Sequence, residues 1–135
     1  MNEYHVQLAS ILDTIKRRTV EELIKVCGYI LVVFVVEDVE LSPQARSKIA
    51  ENGTLGIHVG YDLIPNLVLD ETGFRGDFSF DQVMSQLSVP WSYVMALAIP
   101  VGRPPNAHLP VATFAPYNTP PVAPKPKEKP NLKLV

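Results

Sequence analysis

Residues 55–99 read LGIHVGYDLIPNLVLDETGFRGDFSFDQVMSQLSVPWSYVMALAI, and this stretch decides the fold. Leu55, Ile57 and Val59 alternate with Gly56, His58 and Gly60, the period of two that sends successive side chains to opposite faces of a strand. Leu67-Val68-Leu69 runs into Asp70-Glu71-Thr72-Gly73, a turn cluster with a glycine available for positive φ. Phe74, Gly76, Phe78 and Phe80 recur at every second position, and the glycine suits a bend or bulge. Val89-Pro90-Trp91 opens a last apolar run through Ile99. Short strands punctuated by turns predict a small, strongly bent antiparallel sheet, arranged as a barrel or a sandwich.

On the N-terminal side the pattern is helical. Tyr4, Leu8, Ile11, Leu12 and Ile15 form one apolar stripe, and Lys16-Arg17-Arg18 sits where cations favour a helix end. Thr19 and Glu22 fit a capping box that starts a second helix, with Val20, Leu23, Ile24 and Cys27 on its apolar face and Gly28 to close it. Two readings of these helices stand side by side: they cover one opening of the barrel, or the first pairs with its copy in another subunit. Tyr29 to Val36 is rich in β-branched residues without alternation, which predicts a strand buried on both faces. Ser42 and Pro43 supply an N-cap and first position for a helical turn over Gln44–Glu51, and Asn52-Gly53 is a turn.

Past Ile99 the chain changes character. Most of its 13 prolines lie from Pro100 onward, which excludes a helix or an interior strand there. Residues 104–129 are expected to be an extended linker, with Phe114 and Tyr117 as weak contacts to the body. Asn131-Leu132-Lys133-Leu134-Val135 is apolar again, a candidate linear motif.

The 135 residues support one domain, residues 1–103, with helical 4–27 and barrel 29–99, followed by the linker and a tip at 130–135. Apolar residues at 47% suffice for a core, and a net charge of −2 gives no electrostatic reason to expect nucleic acid. Cys27 is the only cysteine, the opening MNEYHVQ lacks the features of a secretory signal, and the longest apolar run falls short of the roughly 20 residues a spanning helix takes. A soluble, cytoplasmic protein is expected.

Catalytic patterns are weak. His5, His58 and His108 fall one each in helix, sheet and linker, and Cys27 has no partner cysteine, so no metal is expected. Asp70, Glu71 and Asp77 surround a turn and read as solvated turn residues. No phosphate-binding glycine loop and no G-x-S-x-G motif occurs. His58 reads as a hydrogen-bonded structural histidine. The expectation is a protein that is not an enzyme and carries no cofactor.

Leu63-Ile64-Pro65-Asn66-Leu67-Val68-Leu69, the strand Phe74 to Phe80 and the run Leu87 to Leu97 resemble the stringent starvation protein B (SspB) family. Its members are adaptors that deliver tagged substrates to the ClpXP protease. The resemblance spans roughly Ile30 to Ile99 and returns at Lys129-Pro130-Asn131-Leu132-Lys133-Leu134-Val135, which is similar to the family's ClpX-docking tip.

The resemblance implies a bent Sm-like barrel behind a helix, a homodimer, no catalysis, and a groove for ssrA-type degradation tags. By position that groove falls on His58 to Asn66, with Val59, Tyr61, Leu63 and Ile64 as its wall. Phe78, Ser79 and Phe80 on the next strand and Ala96 on the last complete it; Phe78 or Phe80 can equally be pure core, since adjacent residues alternate. Pro130, Leu132, Lys133, Leu134 and Val135 would dock on the ClpX N-terminal domain. The chain departs from the family in three places: a proline-rich linker with Lys125, Lys127 and Lys129 where acidic residues are usual, lysine in the tip where arginine is common, and a different Phe74–Phe80 strand.

Two other classes compete. A small Sm-like or OB-like barrel often binds RNA, with Tyr61, Phe78 and Trp91 as stacking surfaces, but residues 20–99 carry no basic stripe. A proline-rich scaffold read by SH3-like partners is the second.

Overall fold

Glu3–Cys27 forms one helix, α1, where the sequence predicts two. Nothing in Lys16-Arg17-Arg18 breaks a helix, and the Arg17–Glu21 ion pair, 3.1 Å, bridges the expected junction. The capping box is not used: Thr19 Oγ1 donates back to the Ile15 carbonyl at 2.7 Å, and Glu22 pairs with Lys25 at 3.2 Å. Gly28 ends the helix as expected, with φ of 88° and its N–H on the Ile24 carbonyl. The computed structural model describes residues 3–37, 39–101 and 107–114, with side chains from Val6 onward.

The strands are β1 (Ile30–Val35), β2 (Thr54–Val59), β3 (Val68–Leu69), β4 (Gly73–Phe80), β5 (Val83–Pro90), β6 (Val94–Pro100) and β7 (His108–Thr113). A short helix, α2 (Pro43–Arg46), precedes β2, and a 3-10 turn at Trp91–Tyr93 precedes β6. Ser42 caps α2 through a bond from the Ala45 N–H, 3.2 Å, with Pro43 at its first position.

The described residues make two antiparallel sheets, in the orders β2-β1-β6-β7 and β3-β4-β5. The fold is therefore mainly β with an N-terminal helix. The predicted closed barrel is not seen, and β2 stands as an edge.

β1 alternates where burial on both faces is expected. Ile30, Val32 and Phe34 are fully buried, opposite Val59, Ile57 and Leu55 of β2, while Leu31, Val33 and Val35 are half-covered. Phe74 packs against Phe34, Phe78 and Trp91 with ring centroids 5.9 to 6.1 Å apart.

Two glycines act through space, not through the conformations expected of them. Gly73 has no positive φ; a Cβ there would run into the Val89 carbonyl. Gly76 sits in unbroken register opposite Leu87, without a bulge, and a Cβ there would lie 2.7 Å from the Ile64 side chain. Segment 64–67 thus crosses β4 at a distance only glycine allows.

The expected linker yields at His108–Thr113, which pairs antiparallel with β6. Proline excludes an interior strand but not an edge, and β7 is an edge with Pro110 at its bulge. Phe114 continues it, donating its N–H to the Met95 carbonyl at 2.7 Å and packing on the core. Residues 104–106 and 115–135, which include the rest of the expected linker, Tyr117 and the tip, lie outside the described residues. No helix among the described residues is long and apolar enough to cross a membrane.

Candidate functional site

A cavity of about 490 Å³ opens between the outer edge of β2 and the C-terminal half of β4. Its apolar lining is Ile57, Leu63, Ile64, Phe78 and Phe80; Gly56, His58 and Ser79 add backbone and polar surface. Lys48 and Asp81 close one end, paired at 3.0 Å with both side chains about half exposed.

The backbone explains why this side stays open. Residues two apart in a strand direct their N–H and C=O to the same edge. The Thr54 carbonyl accepts from Ala50 N at 2.8 Å, and the Gly60 carbonyl accepts from Leu63 N and Ile64 N at 3.1 and 3.0 Å. Gly56 and His58, between them, therefore direct their backbone groups to the same outer edge, facing the cavity. On β4 the Gly73 carbonyl accepts from Asp70 N and the Asp77 N–H donates to the Pro65 carbonyl, so Ser79 faces the cavity just past the crossing segment. Two strand edges thus look at each other across an apolar floor.

Six of the ten groove residues expected from the family resemblance meet here: His58, Leu63, Ile64, Phe78, Ser79 and Phe80. Leu63 is 50% exposed, whereas Ile64, Phe78 and Phe80 are buried and form floor and core together. Phe78 and Phe80 lie on one face because they are two apart, and Ser79 points outward.

The other four are elsewhere. Val59 is fully buried opposite Ile30, on the core side of the β2 alternation. Tyr61 is exposed on the turn and does not line the cavity. Asn66, at φ 61°, donates its amide to the Asp77 carboxylate at 3.0 Å and lines a depression on the outer face of the β3-β4-β5 sheet. Ala96 sits in the other sheet, between Val33 of β1 and Thr113 of β7. These assignments run along the chain, and the pleat and the register of a second sheet intervene.

Sequence reasoning omits Lys48, Gly56, Ile57 and Asp81 from the site. The period of two places Gly56 beside His58, but nothing in the sequence signals a pair joining residues 48 and 81.

His58 has a second partnership. Its Nε2 lies 3.0 Å from the Nε2 of His108, and the edge of its ring meets Tyr29 with centroids 5.3 Å apart. Burial, and then the neighbouring His108, push the His58 pKa below its ordinary 6.5. The two histidines read from sequence as separate thus meet. No cluster of three or more His, Cys, Asp or Glu able to hold a metal occurs among the described residues.

No family model matches the chain. No curated protein matches it either.

Proposed function

We propose that this chain is a proteolysis adaptor of the SspB type, whose groove holds a degradation tag while its C-terminal tip holds the unfoldase. The observation that carries the reading is the apolar-floored opening between β2 and β4. An extended peptide laid there would hydrogen-bond to Gly56 and His58 on one side and reach Ser79 on the other. Alternate side chains would sink toward Leu63 and the Phe78–Phe80 floor. In this reading the two sheets are the halves of an Sm-like barrel, and the bound tag supplies the strand between them.

The chemistry asked of the protein is binding, not catalysis. Main-chain pairing tolerates sequence variation in the cargo, and the apolar floor with the Lys48–Asp81 pair at its end sets preference. The tip, Pro130 to Val135, would dock on the ClpX N-terminal domain. About 15 residues separate Phe114 from that tip, and a chain of that length spans about 21 Å r.m.s. as a random coil or about 45 Å in polyproline II. Two weak contacts joined this way gain avidity of order 10² or more, and a homodimer with two tips gains further.

The test is direct. Fluorescence anisotropy with a labelled ssrA-type peptide should show saturable binding that an excess of unlabelled peptide displaces. ClpXP degradation of a tagged reporter should accelerate when the full chain is added. Absence of peptide binding overturns the adaptor reading, and salt-sensitive binding of single-stranded RNA in its place would favour the RNA-binding barrel.

A further inference from the structure

His58 and His108 stand on the two edge strands of the same sheet, β2 and β7, with β1 and β6 between them. Leu31 and Ala98 lie between the two histidines: Leu31 is opposite His58, and Ala98 is opposite Leu31. The two rings therefore reach toward each other over the sheet. Their centroids are 5.1 Å apart and their nitrogens 3.0 Å. The difference is nearly the sum of the two ring radii, so the nitrogens meet almost head-on, as in a hydrogen bond between imidazoles.

Such a bond needs one donor and one acceptor. It forms between two neutral rings of complementary tautomer, or between one neutral and one protonated ring. It cannot form when both rings are protonated, because both Nε2 atoms are then donors and both rings carry charge.

β7 depends on such a contact more than an ordinary strand does. It is an edge strand, and its ladder with β6 breaks register between Leu97 and Ala98.

We propose that the His58–His108 bond is a proton-operated clasp, which seats β7 on the sheet and fixes the groove wall near neutral pH and releases both in mild acid. Only the consequence for cargo rests on the peptide-groove reading; the clasp itself does not.

The groups facing His58 are consistent with this assignment. Tyr29 presents a ring edge, and Lys48 and Asp81, lining the same cavity, are already paired with each other. Burial and His108 both lower the pKa of His58. The neutral ring is thus favoured in the folded state, and the clasp's contribution is present above 6.5 and declines as pH falls below it. Release would also matter to the tether, because β7 is where the chain enters its C-terminal segment.

Amide hydrogen exchange on the full chain without peptide reads the clasp alone. Between about pH 7.5 and about pH 5, corrected for intrinsic rates, β7 amides should lose about five- to tenfold of their protection, the scale of one hydrogen bond. β1 amides should hold theirs. His108→Phe keeps a ring over the sheet without a titrating nitrogen, and its β7 protection should not respond to pH. Equal β7 protection in the wild type at both pH values, or a pH response that persists in His108→Phe, overturns the clasp.

Peptide affinity at the same two pH values reads the consequence. Wild-type affinity should weaken several-fold in acid, and His108→Phe should show no such change. If no peptide binds at either pH, the adaptor reading fails, while the exchange result still decides the clasp.

Discussion

The Nζ of Lys16 donates to the main-chain carbonyl of Trp91 at 2.9 Å, although 75 positions separate them and both residues are buried. The Phe114 ring lies 5.2 Å from the same ammonium. Trp91 in turn donates its indole N–H to the Asp70 carbonyl at 2.7 Å. One lysine thus ties α1 to the 3-10 turn that joins the two sheets and to Phe114, which follows β7. Of the buried residues among those described in α1, Lys16, Val20 and Ile24, the lysine alone is polar, and it is the one that reaches the other elements.

Lys16→Ala is expected to destabilise the fold by about 2–4 kcal/mol, because it removes a long packed stem and leaves the Trp91 carbonyl unsatisfied. Lys16→Met keeps the stem and should cost less than half as much. Burial lowers the Lys16 pKa from 10.5, with Asp13 opposing. As pH rises toward 10.5 the unfolded chain holds this proton longer than the folded one, so the Lys16 contribution to stability rises. Urea titrations of wild type and Lys16→Met across that range check it; parallel curves would remove Lys16 from the explanation.

Asp70 organises the turn before β4. Its carboxylate accepts from Arg75 at 2.6 Å and from the Thr72 hydroxyl and the Thr72 and Gly73 N–H groups. Arg75 first, then Thr72, hold its pKa well below the ordinary 3.8. That contribution is present above 3.8 and is lost as pH falls below it. Asp70→Asn should be less stable than wild type at neutral pH and converge with it in acid, followed by thermal melts. A constant gap down to the acid limit would refute the assignment.

Leu63 is the exposed apolar residue at the cavity mouth. Leu63→Glu should weaken tag-peptide binding by roughly 1–3 kcal/mol, the scale for an unpaired polar group desolvated at an interface. Its melting temperature should hardly move, in contrast to Phe78→Ala, which opens a core cavity worth about 3–5 kcal/mol. Anisotropy and melts on the same preparations separate the two. Unchanged affinity in Leu63→Glu would move the binding site elsewhere.

Val6, Ile11 and Ile15 are exposed on the N-terminal half of α1, with Leu8 and Leu12 half-covered. Such exposure is what the paired-helix reading of the stripe expects, and in that reading Leu8→Lys with Ile11→Lys should yield a monomer by analytical sedimentation that still binds one peptide. An unaltered dimer, or a wild-type monomer, would rule this out.

Removing Pro130 to Val135 should leave the melting temperature unchanged and abolish the acceleration of tagged-reporter degradation by ClpXP. Persistent acceleration would mean that the unfoldase contact lies elsewhere.

Local pattern alone determined a good part of this molecule. The alternation of Leu55, Ile57 and Val59 and of Phe74, Phe78 and Phe80 gave β2 and β4 with their buried faces, because a pleat repeats every two residues whatever lies beyond it. Gly28, Ser42-Pro43 and Asn52-Gly53 marked the end of α1, the start of α2 and the turn before β2 for equally local reasons. β5 was not legible. Its turn, Asp81-Gln82, adopts positive φ at both residues without a glycine, and its inward positions include Ser85, which bonds to Ser42. β7 was hidden for the opposite reason: its proline, Pro110, forbids a central strand, and only the free edge of β6 makes a strand there permissible. The tertiary structure alone decided which residues meet at the cavity. Val59 and Ala96 left it, and Lys48 and Asp81 joined it, through strand pairing and sheet order. His58 and His108 are 50 positions apart, and it is the order β2-β1-β6-β7 and the reach of two imidazoles across it that make them neighbours.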